Sequence, residues 1–235
     1  MRGALMKYQA CVTRVVKESP DVQTIFFTIN DAVLASLAGQ YVTVYAAGSS
    51  DTVGKAYSLS SAPHDNEHTI TVKAIGGYSH WLCSLQPGDG FAVSEPYGFF
   101  NVDDAAPIIG IAAGVGVSPI WSIIRDQLNH HADRAITLYL TAPHEDGLIF
   151  RTAIDELFSH SPSADACYFV TQSESAVATH GRFVVSRDIP PASLAASRFY
   201  VCGSESFVRG VWRQLMEAAV DEDRIVTETF FETVA

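Results

Sequence analysis

The chain has 235 residues and 48% hydrophobic content, enough to bury a sizeable core in one large domain or two small ones. Its net charge of -11 argues against nonspecific nucleic-acid binding, because no cation surplus exists to displace counterions from phosphate, and against an anionic membrane surface. Cys11, Cys83, Cys167 and Cys202 form no CxxC pair, so neither a zinc site nor an iron–sulfur cluster is expected and no metal site is assigned. The opening MRGALMKYQACV does not read as a secretory signal, and the apolar run PIIGIAAGVGVSPIWSII is broken by Gly and Pro. A soluble cytoplasmic protein with reduced thiols and no membrane span is the expectation.

Residues 8 to 100 read as β structure. YQACVTRVV, TIFFTI, QYVTVYA, KAYSLSS, HTITVKAI and GFAVSEP are short runs of Val, Ile, Thr and aromatic residues. Gly, Pro, Asp and Asn separate them at close spacing, which predicts a closed or nearly closed antiparallel β-barrel. HWLCSL within it reads as a short helix.

Beyond Asp103 the pattern changes. APIIGIAA has the all-apolar character of a parallel strand buried on both faces. SPIWSIIRDQLNHH carries Ile120, Ile123, Ile124 and Leu128 at helical spacing, with Pro119 near the helix start. AITLYLTA, ACYFVTQ and RFYVCG predict further strands, and FRTAIDELFSH and SFVRGVWRQLMEAAV further helices. This alternation predicts a doubly wound α/β domain with a parallel sheet. The boundary should lie between Val102 and Ala106, giving domains 1–103 and 104–235.

Three segments offer chemistry. In IGIAAGVGVSPIWSII a buried strand runs through a glycine turn, Gly114 and Gly116, into a helix opening at Ser118–Pro119. Free N–H groups and the positive dipole end make this an anion or dinucleotide site, although a tight turn that merely needs glycine reads the same way. KAIGGYSHWL repeats the arrangement with Gly76, Gly77, Tyr78 and Ser79 before a helix, inside the β half; an ordinary hairpin turn is the alternative. RFYVCGSESFV places Cys202–Gly203 between a strand and a helix capped by Ser204 or Ser206. A lone cysteine there is either core or an active-site group.

In order, KAYS, GGYS, GVGVSP, CG and ETFF resemble the ferredoxin–NADP reductase-like flavoproteins over essentially the whole chain. That family has an Arg-x-Tyr-Ser strand, a Gly-rich segment, a Gly-x-Gly-x-x-Pro turn, a Cys-Gly pair and a C-terminal Glu-x-aromatic. The resemblance implies that the N-terminal barrel holds flavin, FAD rather than FMN, and that the α/β domain takes NADH or NADPH. It implies that Tyr57 stacks on the isoalloxazine and that Ser58 hydrogen-bonds near flavin N5. Lys55, beside Ala56, would face the cofactor phosphate where the family has arginine. Val72 and Lys73 would line the flavin, and Gly76, Gly77, Tyr78 and Ser79 the pyrophosphate, with the Ser79 hydroxyl a direct donor. Gly114, Val115, Gly116, Val117, Ser118, Pro119 and Thr141 would hold the dinucleotide. Cys202 and Gly203 would sit by the nicotinamide, and Glu228 with Phe230 or Phe231 by the flavin. Ser58, Cys202 and Glu228 are the implied catalytic residues, Cys202 through geometry rather than as a nucleophile.

Departures matter. Lys55 cannot fork two phosphate oxygens as arginine does. Val115 lacks the hydroxyl of a threonine common at its place. The resemblance implies an NAD(P)H-dependent reductase passing electrons to a separate acceptor: a ferredoxin, an oxygenase component or a quinone-like molecule. An NAD(P)H:flavin reductase with diffusible flavin is the alternative, and a noncatalytic electron-transfer subunit of a larger complex a second one. NADH is expected over NADPH, because PHEDGLIF and SESAVATHGR place Glu145, Asp146 and Glu174 where a 2′-phosphate would need cations.

Overall fold

The computed structural model describes residues 7–29, 34–46 and 54–230. In the N-terminal half, six strands form one antiparallel sheet: β1 (Lys7–Ser19), β2 (Val22–Ile29), β3 (Tyr41–Ala46), β4 (Lys55–Ser58), β5 (His68–Lys73) and β6 (Gly90–Ser94). Their order is β4-β3-β6-β1-β2-β5. An antiparallel bridge between Leu59 and Ile70 brings the two ends of that order together, as a barrel requires. Inward positions carry the bulk: Ile25, Phe27, Val42, Val44, Leu59, Ile70, Phe91 and Val93 are each at most 1% exposed. Fully burying such a side chain contributes about 1.5–3 kcal/mol. Helix α1 (Gly77–Ser84) adds Leu82 to this core.

The C-terminal half alternates as expected. It runs β7 (Ile108–Ala113), α2 (Val117–His130), β8 (Ile136–Ala142), α3 (Arg151–Ser159), β9 (Ala164–Val170), β10 (Thr179–His180), α4 (Val185–Asp188), α5 (Pro191–Ala196), β11 (Arg198–Ser204), α6 (Glu205–Glu217) and β12 (Ile225–Phe230). All strand pairs are parallel, in the order β10-β9-β8-β7-β11-β12. The chain leaves β7 in one direction and returns to its other side at β11. That reversal opens a crevice beyond the carboxyl ends of β7 and β11, where ligands of such sheets bind.

The short elements β10, α4 and α5 were not anticipated, α1 begins at Gly77 rather than His80, and further details differ from the sequence reading. A 3-10 turn at Gly114–Gly116 starts the helix at Val117, before Ser118. Ser204 occupies the N-cap of α6, but its side chain makes no capping bond and lies 3.3 Å from Ser206 Oγ. Strand β12 was not anticipated, because IVTETF is only half-buried at the sheet edge and shows no apolar run.

The two halves are joined through α2. Its core continues into the barrel half at Val22, Ala38 and Phe100. Ser122 Oγ donates to the Ser61 carbonyl at 2.6 Å. Arg125 grips Asp65 with two parallel bonds of 2.5 and 2.6 Å. A planar fork on a carboxylate fixes orientation as well as distance, so the cleft between the halves is held rather than merely closed. No helix among the described residues is long and apolar enough to cross a membrane.

Candidate functional site

Where the barrel meets the crevice lies a cavity of about 470 Å³. Lys55, Ala56, Tyr57 and Ser58 of β4 form one wall and Lys73, Gly76 and Ser79 another. Val115 and Ser118 contribute from the glycine turn, and Glu228 and Phe230 from β12. Residues from four separated segments thus converge on one space. Phe231 lies outside the described residues.

Ser58 and Glu228 meet across the domain boundary, the Ser58 hydroxyl donating to Glu228 Oε2 at 3.3 Å. Burial pushes the Glu228 carboxyl up to about 7, partly offset by that hydrogen bond. A carboxyl titrating near neutrality, bonded to a hydroxyl in a cleft, can hold or release a proton at working pH. Tyr57 is half-buried against the barrel core, and burial raises its phenol above the ordinary value, so it stays neutral.

The glycines have different reasons. A Cβ on Gly116 would lie 2.4 Å from the Cys202 carbonyl oxygen. The close pass of the Cys202–Gly203 peptide is therefore reason enough for glycine there. A Cβ on Gly76, Gly77 or Gly114 would meet nothing within 4 Å. No protein atom requires these three to be small, which leaves room for something else to approach, although the left-handed backbone at Gly114 (φ 52°) itself favours glycine. The first intrahelical bond of α1 runs from His80 N to the Gly76 carbonyl. The N–H groups of Gly77, Tyr78 and Ser79 consequently remain free for an anion.

Ser79 acts differently from the expectation of a direct donor. Its Oγ accepts from the N–H groups of Ile75 and Gly76 and donates to the Gly76 carbonyl. Its only proton is therefore engaged in shaping the turn. Tyr78 also points away, donating to the Val44 carbonyl at 2.6 Å and offering its ring beneath Lys55 Nζ at 5.8 Å.

Other expected residues fall outside the cavity wall. Val72 is 1% exposed and belongs to the barrel core, while its neighbours Thr71 and Lys73 face the cavity. Strand alternation explains this, since side chains point to opposite faces in turn. Val117 and Pro119 are buried in α2. Thr141 lies near the end of β8, paired with Ala113. Cys202 is wholly buried, paired in register with Glu228, and burial followed by the Glu228 charge raises its thiol well above the ordinary range. Such a thiol is protonated and no nucleophile. Tyr41, Thr71, Ile75 and Thr229 line the cavity and were not anticipated. Tyr41 pairs with Ser58 across β3 and β4, so strand pairing carried the signal for it.

The site fits a flavin and a dinucleotide on its own chemistry. Ser118 helps form the wall, yet its buried hydroxyl has no protein partner. Such a group costs about 1–3 kcal/mol unless something bonds to it. The open glycines, the free N–H groups of α1 and the aromatic face of Tyr57 supply the rest of a cradle for a planar ring with a phosphate tail.

A barrel joined to a parallel sheet, with the cleft between them, defines a two-domain flavin- and nicotinamide-binding oxidoreductase. Comparison with known proteins agrees. Residues 9–102 match the oxidoreductase FAD-binding domain family, and residues 111–213 the oxidoreductase NAD-binding domain family. The FAD/NAD-binding domain of a nitric oxide dioxygenase from Vibrio cholerae superimposes with a TM-score of 0.86 at 26% identity, covering 95% of this chain and 98% of that one. A flavohemoprotein of Oceanobacillus iheyensis is 26% identical over 238 residues, 93% of this chain and 58% of the relative. The ferredoxin reductase component of a 3-ketosteroid-9-alpha-monooxygenase from Mycolicibacterium smegmatis is 26% identical over 232 residues, 93% of this chain and 64% of the relative. The chain thus spans about six tenths of the length of these two curated relatives. It belongs to the ferredoxin–NADP reductase-like flavoproteins, with an FAD-binding domain followed by an NAD-binding domain.

Proposed function

We propose that this chain is a reductase that takes hydride from NADH, in preference to NADPH, and passes electrons through FAD to a separate acceptor. The observation that carries this reading is the Ser58–Glu228 bond, which joins the two domains at the cavity. The bound cofactors supply hydride transfer between nicotinamide and flavin. The protein's part is to hold donor and acceptor in one cleft, which removes the entropy cost of their encounter. In this assignment Tyr57 and Ser58 support the flavin ring, the first turn of α1 receives phosphate, and Gly114 to Ser118 receive the dinucleotide. Domains 1–103 and 104–235 are the flavin and nicotinamide units. The named relative that serves a monooxygenase supports a ferredoxin or an oxygenase component as acceptor. Four unpaired thiols support a cytoplasmic setting.

A second reading, a reductase of diffusible flavin, draws on Lys55. Its side chain is exposed at the cavity rim and is a point charge, which anchors phosphate less firmly than arginine. Gel filtration separates the two readings. After loading with FAD, the protein peak is expected to stay yellow. Flavin recovered wholly in the small-molecule fraction would favour the diffusible-flavin reading, and a chain that never takes up FAD or FMN would overturn both.

The preference for NADH rests on the two loops after β8 and β9. Glu145 accepts from Ser175 Oγ at 2.9 Å, so the loops meet at a carboxylate. Arg151 lies 3.9 Å from Glu145 and 3.4 Å from Asp155, which offset its charge. A dianionic 2′-phosphate would meet repulsion there, whereas a free 2′-hydroxyl can donate to an acid. The ratio of kcat/KM for NADH to that for NADPH at one ionic strength is expected to exceed one. A ratio below one would place an arginine, Arg151 or Arg182, at the phosphate.

A further inference from the structure

The outer face of the barrel under α2 carries an unusual run of hydroxyls. Thr24, Ser60, Thr69 and Thr71 are 2–7% exposed, where valine would pack as well. They bond to one another in sequence. Thr69 Oγ1 and Ser60 Oγ are 2.8 Å apart, Ser60 Oγ and Thr71 Oγ1 2.9 Å, and Thr71 Oγ1 and Thr24 Oγ1 3.0 Å. Thr24 Oγ1 donates to Glu18 Oε1 at 2.7 Å.

The ends and the middle of this chain face different spaces. Thr71 lines the cavity assigned to flavin. Glu18, Thr24, Ser60 and Thr69 line a separate groove of about 840 Å³ between the barrel and α2 and α3. Every link is within hydrogen-bond range, and each hydroxyl can donate one proton while accepting another. With Glu18 ionised, the hydroxyl protons of Thr24 and Thr71 point towards it. With Glu18 protonated the order reverses: Glu18 donates to Thr24 and Thr24 to Thr71, which frees the Thr71 proton for Ser60 or for the cavity.

We propose that Glu18, Thr24 and Thr71 form a proton relay between the second groove and the flavin cavity, distinct from the Ser58–Glu228 pair. The inference rests on the flavin reading above. Reduction of a flavin by NADH moves two electrons and one proton as hydride and takes one more proton from solution. When two electrons later leave to the acceptor, two protons leave the site. Ser58 and Glu228 serve one face of that traffic, and the relay supplies a second path. Burial raises the Glu18 carboxyl, offset by the Thr24 bond, so it exchanges protons more readily than an ordinary surface glutamate. The charges sharing its groove are Arg14, Asp65 and Glu67 of the barrel half, Arg125 of α2, which pairs with Asp65, Glu145 of the turn after β8, and Arg151 and Glu156 of α3.

The test uses Thr24→Val and Thr71→Val, which keep shape and remove the hydroxyl, with Thr71→Ser as the conservative control. Proton uptake by the FAD-loaded protein is followed with an indicator dye during rapid reduction by NADH, in the natural and Glu228→Gln backgrounds. In flavin-free protein, infrared titration of the Glu18 carboxyl is expected to show a higher midpoint in Thr24→Val. Proton uptake is expected to slow at least tenfold in both valine variants in one or both backgrounds, with Thr71→Ser restoring it, at unchanged FAD content. Unchanged uptake in both backgrounds, in variants that bind FAD and bleach normally, overturns the relay while leaving the flavin reading intact. A natural chain that binds no flavin overturns both.

Discussion

Ser58→Ala is expected to slow flavin reduction by NADH roughly 10²-fold while leaving bound FAD nearly unchanged, since one preorganised hydrogen bond to developing charge has about that worth. The hydroxyl is buried, 6% exposed, and held at the end of β4 by the barrel. It is therefore aimed before the reaction begins. Flavin retention rests on Tyr57, α1 and Lys55, which the substitution leaves in place. Ser58 also lowers the Glu228 carboxyl through its hydrogen bond, so the variant should shift the alkaline limb of the rate profile upward. Rapid-mixing measurement of flavin bleaching checks both effects. A normal bleaching rate would remove Ser58 from the chemistry.

Glu228 makes the second large prediction, in stability. Burial raises its carboxyl from 4.5 to about 7 in the folded chain. Between those values the folded state holds a proton that the unfolded state has released. Stability from this group is therefore greatest below 4.5 and is lost as pH rises through 7. At about 1.4 kcal/mol per unit, the loss reaches at most about 3.5 kcal/mol. Glu228→Gln removes the titration. In urea unfolding of the flavin-free protein, the variant is expected to gain stability relative to the natural chain between pH 5 and pH 8. Parallel curves for the two would mean that Glu228 is solvated like a surface carboxylate.

The barrel and the α/β half were legible because their core strands carry strong patterns. Ile108 to Ala112 is unbroken apolar sequence, and that segment is buried on both faces. Strand β12 was not legible, since Ile225 to Phe230 is half-buried at the edge and reads as polar. Yet this strand carries Glu228 into the cavity. Glu228 was found by motif order rather than by any local signal. Thr71 was missed as a cavity residue, and Val72 was named although its side chain lies in the barrel core, because the strand's alternation was not applied across the segment. The Ser79 hydroxyl shapes the turn before α1 and Gly116 admits the close pass of β11, local contacts that the sequence reading did not foresee. Such roles depend on which backbone atoms come near, and a one-dimensional pattern does not contain that distance. The hydroxyl run at Thr24, Ser60, Thr69 and Thr71 is equally invisible in sequence, since threonine in a strand is ordinary.

The most direct test of a flavin and a nicotinamide meeting in one cleft is anaerobic mixing of the FAD-loaded chain with excess NADH, followed at the flavin absorbance. A first-order bleaching whose rate saturates with NADH concentration is the expected result, because saturation reports binding in the cleft before hydride moves. A yellow protein that NADH leaves unbleached would contradict the account.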